Sequence, residues 1–271
     1  MIRGLLVKTL RDSWITALVL AAALALVELL LMNVLPQTQQ MIGGVLAAMP
    51  IVRPILTAIL GMPVGDGMSA LVLQSILWVH PVVLSLVWAC AVVQTTRYPA
   101  GEIDRGTIDF LLGLPVSRRA VYVAETIVCL ALGAFVIGAG SIGYFAGAAD
   151  VAPESLPSAG GVQLALVNLF CVFVAVAGVG FFVSSMSERR GRAIAVLFGV
   201  LLGSFLLNVL AEFWAPAQRV AFLSVLHYYQ PARVLTNVRL PASHIVTLVG
   251  VGLVAWIAGA EITARRSIKT V

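Results

Sequence analysis

The chain has 271 residues, a formal net charge of +5 and a mean hydropathy of +1.04; 61% of it is hydrophobic and only 11% charged. Water-soluble domains carry about 45–50% apolar and about 25% charged residues, so too little polar sequence remains to cover a soluble surface, and a disordered chain is excluded as well. At about 20 residues per span plus loops, this length accommodates about six helices of an all-α polytopic membrane protein.

The basic residues flank apolar segments, which marks them as topology signals facing anionic headgroups, and no nucleic-acid partner is expected. The start, MIRGLLVKTLRDSW, looks like the basic region of a signal peptide, but the apolar run 13–35 is too long for one and is kept as span 1. Before it, Ile2, Leu5, Leu6 and Leu10 share a helical face largely opposite Arg3, Lys8 and Arg11, predicting a short amphipathic interfacial helix that continues into the span. Residues 42–60 are apolar but broken by Pro50, Pro54 and Arg53, so they read as interfacial or re-entrant. Further spans are expected at about 69–93, 120–145, 161–186, 193–213 and 245–262, and residues 1–271 form a single transmembrane domain.

Six spans put the N-terminus, loops 94–119 and 187–192 and the C-terminal tail on one side, with thirteen of the seventeen basic residues. Arg53, Arg219, Arg233 and Arg239 fall on the other, which places both termini in the cytoplasm.

Within the spans, Glu28 lies in the outer half of span 1, where an ionisable group must face protein or water. It is either a substrate-pathway acid or a packing residue. His80 with Pro81 marks a kink in span 2, the imidazole satisfied by a freed carbonyl. Glu125, Glu212 and Glu261 lie near span ends, and Gln74, Asn168 and Asn208 are candidate interhelical donors. The run GAFVIGAGSIGYFAG (133–147) permits close helix contact.

No G-x-x-x-x-G-K-[ST] occurs and the only lysines are Lys8 and Lys269, so no nucleotide site, cofactor or metal is expected on this chain. There is no H-E-x-x-H or G-x-S-x-G; His80, His227 and His244 are scattered, and Cys90, Cys129 and Cys171 read as small core hydrophobes. No catalytic residue is predicted.

The most informative stretch is the loop between spans 2 and 3. Ile108, Leu111 and Leu112, with Phe110 on the flank, can form the apolar face of a short helix. Glu102, Asp104, Arg105 and Asp109 supply charge beside it, Gly106 permits a bend and Pro115 ends it. Such a helix either rests on lipid headgroups or docks into a groove of a soluble partner, and mixed charge favours the protein partner.

From Glu102 to Arg118 the chain reads EIDRGTIDFLLGLPVSR, which resembles the E-x-E-x-G-T-[LI]-[ED]-x-L-L-x-x-P-[VI]-[ST]-R stretch of ABC-2 type transporter permeases. The departures are Asp104 for the second Glu, Ile108 for the common Leu and Asp109 for the common Glu. The resemblance implies the permease subunit of an exporter in a cell membrane, of the bacterial inner-membrane kind, working with an ATP-binding cassette subunit and a second permease copy. It makes Glu102, Asp104, Arg105, Gly106, Thr107, Ile108, Asp109, Leu111, Leu112, Pro115 and Arg118 candidate contacts or supports for that ATPase subunit. A weaker resemblance covers 222–235, FLSVLHYYQPARVL, as a re-entrant segment or an interfacial aromatic belt of Phe222, Tyr228 and Tyr229. The rival readings are an ion-coupled secondary transporter, for which only Glu28 and His80 speak, and a membrane-embedded enzyme or assembly factor.

Overall fold

A computed structural model describes the backbone of residues 2–49, 51–60, 70–108, 110, 113 and 115–266. Asp109, Leu111 and Leu112 lie outside the described residues. No strand occurs among those described, and six helices are long and apolar enough to cross a membrane.

The first of them, helix α1, runs unbroken through Ile2–Ala48, the N-terminal segment continuing directly into the span. The reason is a continuous buried stripe: Leu5, Thr9, Ser13, Ala17, Ala21, Leu24, Glu28, Met32 and Leu35 recur every three or four residues on one face. Residues 42–48 therefore extend α1 and do not form an element of their own, and a short α2 (Val52–Leu60) follows.

The second span is two helices, α3 (Ala70–Val79) and α4 (Pro81–Thr95), divided at His80. The kink is there, but its chemistry differs from expectation. His80 caps α4, its Nδ1 accepting from the Val82 N–H at 3.3 Å, so the imidazole satisfies an amide of the new helix instead of a carbonyl of the old one. Helices α5 (Arg118–Ala148), α6 (Ala159–Met186), α7 (Arg190–Leu210) and α8 (Ala242–Arg265) complete the bundle. Ser117 and Ser158 cap α5 and α6 by accepting from the Ala120 and Gly161 amides, each at 3.1 Å.

Two helix pairs form the frame, α1 along α5 and α6 along α8. Both need glycine. A Cβ on Gly143 would sit 2.0 Å from the Ala25 carbonyl oxygen, and one on Gly178 would sit 2.1 Å from that of Gly252. The glycine run of 133–147 thus serves packing within the chain: Gly140, Gly143 and Gly147 face α1, and Gly133 faces Phe173.

Between α7 and α8 the chain returns through short turns, including Ala215–Val220, Val225–Tyr228 and Pro231–Asn237. Tyr229 is not a belt residue. It is 1% exposed and its hydroxyl donates to the Trp78 carbonyl at 2.9 Å, while Ser224 donates to the Ser204 carbonyl at 2.8 Å. Irregular backbone at this depth is tolerated because protein groups satisfy it.

Candidate functional site

The ends of α1, α4, α5, α6, α7 and α8 that converge on one end of the bundle are tied by polar side chains. Thr9 donates to Glu125 at 2.8 Å, Arg119 to Glu261 at 2.8 Å, and Arg266 to the Ser185 carbonyl at 2.9 Å. Arg97 reaches back to Ser13 and pairs with Asp12 at 3.4 Å. The loop 94–119 sits on this end.

The loop leaves α4 in a tight turn over Arg97–Gly101, all buried. Ser184 of α6 holds it from both sides, donating to the Tyr98 carbonyl at 3.1 Å and accepting from the Ala100 amide at 3.3 Å. Tyr98 packs on Tyr122, which packs on Phe181 and Trp256, and burial pushes the Tyr98 phenol pKa up. Gly101 is required here, since a Cβ would meet the Thr96 carbonyl oxygen at 3.0 Å and Arg190 Cδ at 3.3 Å.

The E-I-D-R-G-T motif is one closed turn. Gly106 adopts φ +68°, a left-handed conformation that glycine alone takes freely, and its amide donates to the Ile103 carbonyl at 3.0 Å. The reversal brings Thr107 back to Glu102: the Thr107 amide donates to the Glu102 carbonyl at 3.0 Å and its hydroxyl to the Glu102 carboxylate. Arg105 bonds the same carboxylate at 2.9 Å, and Lys8 lies 3.9 Å from it. Glu102 is therefore a buried brace. Asp104 accepts from the Arg190 backbone amide at 3.2 Å, supplying an oxygen to the start of α7 from 86 residues away. Arg190 in turn donates to Thr96 at 3.4 Å and to the Val93 carbonyl at 3.2 Å.

The predicted residues thus separate into supports and surface. Glu102 and Thr107 hold the turn, and Arg118 is engaged with the Arg266 carbonyl. Ile108, expected on the presented apolar face, is 3% exposed and joins the core, while Phe110, placed on the flank, is 82% exposed. Asp104, Arg105, Gly106, Phe110 and Pro115 face outward. Arg97, Arg190 and Ser184 were not singled out by sequence reasoning. The two arginines register there only as topology charges, and nothing in the local pattern of Ser184 distinguishes it.

Under the loop lies a charged cavity of about 620 Å³ between the ends of α1, α4 and α7, lined by Lys8, Asp12, Gln94, Arg97, Glu102, Arg105 and Arg190 among others. An apolar groove of about 490 Å³, which shares the lining residue Val93 with it, lies between α4 and α7 and is lined by Trp88, Val92, Phe198, Leu201 and Phe205 among others.

The two weaker candidates are apart from this loop. Glu28 is 1% exposed in the α1 stripe, facing protein as expected, and neither carboxylate oxygen has a hydrogen-bond partner among the described residues. His80 is engaged as a helix cap, and no hydrogen bond or ion pair joins the two. Asn168, expected to be an interhelical donor, is buried with no partner among the described residues, whereas Gln74 accepts from Tyr144 at 3.4 Å.

Residues 82–259, from the start of α4 into α8, match the family model described as ABC-2 family transporter protein. No curated protein matches the chain.

Proposed function

The chain belongs to the ABC-2 family of transporter proteins, and from that premise we propose that it is the permease subunit of an ATP-driven exporter, energised by a separate ATP-binding subunit docking on the 94–119 loop. Two permeases and two ATPases would then surround one central pathway. The loop-bearing end faces the cytoplasm in this reading, since the N-terminus, loops 94–119 and 187–192 and the C-terminal tail carry thirteen of the seventeen basic residues in the sequence.

The observation that carries the reading is the construction of the loop. Its turn is tied to α1, α4, α6 and α7 through Lys8, Arg190, Ser184 and Asp104, yet it leaves Phe110 projecting into solvent. A rigid mount under an exposed aromatic is what a docking anchor requires, because little side-chain and backbone freedom remains to be lost on association. Mixed charge around it, from Asp104 and Arg105, suits a protein partner better than headgroups.

The test is a pull-down of the co-expressed ATP-binding subunit. Phe110→Ala should weaken association about thirtyfold, the scale of an aromatic hot spot, and Leu111→Ala with Leu112→Ala should add to the loss. Membrane insertion should be unchanged. Wild-type retention of the ATPase by both variants would leave the loop resting on lipid and overturn the reading.

A further inference from the structure

The charged cavity and the apolar groove adjoin at Val93, which lines both, polar on the loop side and hydrocarbon-like on the other. Four cations line the polar part, Lys8, Arg97, Arg105 and Arg190, against two carboxylates, Asp12 and Glu102. Asp12 is shared by Lys8 and Arg97, and Glu102 is taken by Arg105. The Arg190 guanidinium bonds only to a carbonyl and a hydroxyl among the described residues. A second observation is independent of the charge count. Gln94 is only 4% exposed, lines the same cavity, and its Nε2 has no hydrogen-bond partner among the described residues. A buried amide donor left open costs free energy unless something accepts from it.

The groove has the dimensions of a lipid tail. From Val93 back to Pro81 is twelve residues of α4, about 18 Å at 1.5 Å per residue, close to one leaflet of a hydrocarbon core ~30 Å thick. Its walls are Trp88, Val92, Phe198, Leu201, Leu202 and Phe205, with no charged residue among those lining it.

We propose that cavity and groove together hold one acidic phospholipid of the adjacent leaflet, its phosphate among Lys8, Arg97, Arg105, Arg190 and the Gln94 amide, one acyl chain lying between α4 and α7. The site is built from permease residues, and Phe110, the docking anchor of the proposed function, also lines its polar end.

The purified protein, incubated in detergent with equimolar phosphatidylglycerol and phosphatidylcholine of matched chains, is read by native mass spectrometry for retained lipid. Two uncompensated cations at a membrane surface give a preference for phosphatidylglycerol of about thirtyfold. Lys8→Gln with Arg105→Gln, both half-exposed side chains, should bring it near parity. Ala89→Phe fills the groove and leaves every charge in place; it should cut retained phosphatidylglycerol about tenfold, the scale of two displaced methylenes. Elution of each variant as the wild-type species checks its fold. Equal retention of the two lipids by the wild type, or a preference that survives both variants, overturns the proposal. So does cross-linking of two copies through Phe198→Cys in the presence of lipid, which would put a second copy in the groove.

Discussion

Replacing Gly143 by alanine tests the close approach of α1 and α5. The added Cβ would lie 2.0 Å from the Ala25 carbonyl oxygen, 2.7 Å from its carbon and 2.8 Å from its Cα, all backbone atoms that cannot rotate away. Restoring the ordinary 3.4 Å contact requires the helices to part locally by about 1.4 Å. Gly140 and Gly147, one turn to either side, hold Leu24 and Met32 at contact, so parting the helices also loosens those side chains. Overpacking of this kind costs about 1–3 kcal/mol, against about 1 kcal/mol gained when alanine replaces glycine in a helix. The immobile backbone clash places the cost at the upper end, for a net loss of about 2 kcal/mol. In a protein of this size that corresponds to a Tm lower by about 4–8 °C. Gly138→Ala on the same helix meets nothing within 4 Å and is the control, expected to hold or raise Tm. The assay is thermal unfolding of the detergent-solubilised protein by intrinsic fluorescence. A Gly143→Ala variant melting with the wild type, or a Gly138→Ala variant falling as far, would refute the close-packing account.

Gly106→Ala forces a Cβ into a left-handed conformation at a cost of about 1–2 kcal/mol; hydrogen exchange over 102–107 should accelerate while global Tm changes little. Thr9→Val leaves the buried Glu125 carboxylate without its 2.8 Å donor, costing about 1–3 kcal/mol, and Thr9→Ser should restore most of the lost Tm. Arg190→Lys cannot reach Thr96 and Val93 together with one ammonium, so exchange protection should drop on both sides of the α4–α7 contact. Glu28→Gln removes an ionisable group that has no hydrogen-bond partner among the described residues and should leave Tm equal or higher; a fall of several degrees would reveal a partner for the carboxyl.

The spans were legible because hydropathy is a property of composition, and six helices long and apolar enough to cross a membrane are found among the described residues. The glycine run at 133–147 was legible for the same reason, its facing partner not being needed to infer close contact. What escaped depends on pairings distant in sequence. The burial of Thr9 and Ser13 follows from their meeting Glu125 and Arg97, which makes one side of the basic N-terminal stretch part of the packed stripe. Tyr229 turned inward because the Trp78 carbonyl accepts its hydroxyl across 151 residues. In the loop, Gly106, Thr107 and Glu102 were found by motif. The assignment of Ile108 as the presented face failed because a single turn has too few residues for its periodicity to choose between inward and outward.

Arg190 removes a degree of freedom. With its amide on Asp104 and its guanidinium on the last turn of α4, the loop, the end of α4 and the start of α7 share one joint. From that joint α7 extends 21 residues, an arm of about 31 Å. A rotation of about 5° at the joint would carry the far end of such an arm through about 3 Å. Ser204, on the distal half of the arm, is gripped by Ser224 at 3.1 Å and by the Val225 amide at 2.9 Å. A deflection at this joint too small to break its hydrogen bonds would thus reach, magnified, the returning chain at the other end of α7.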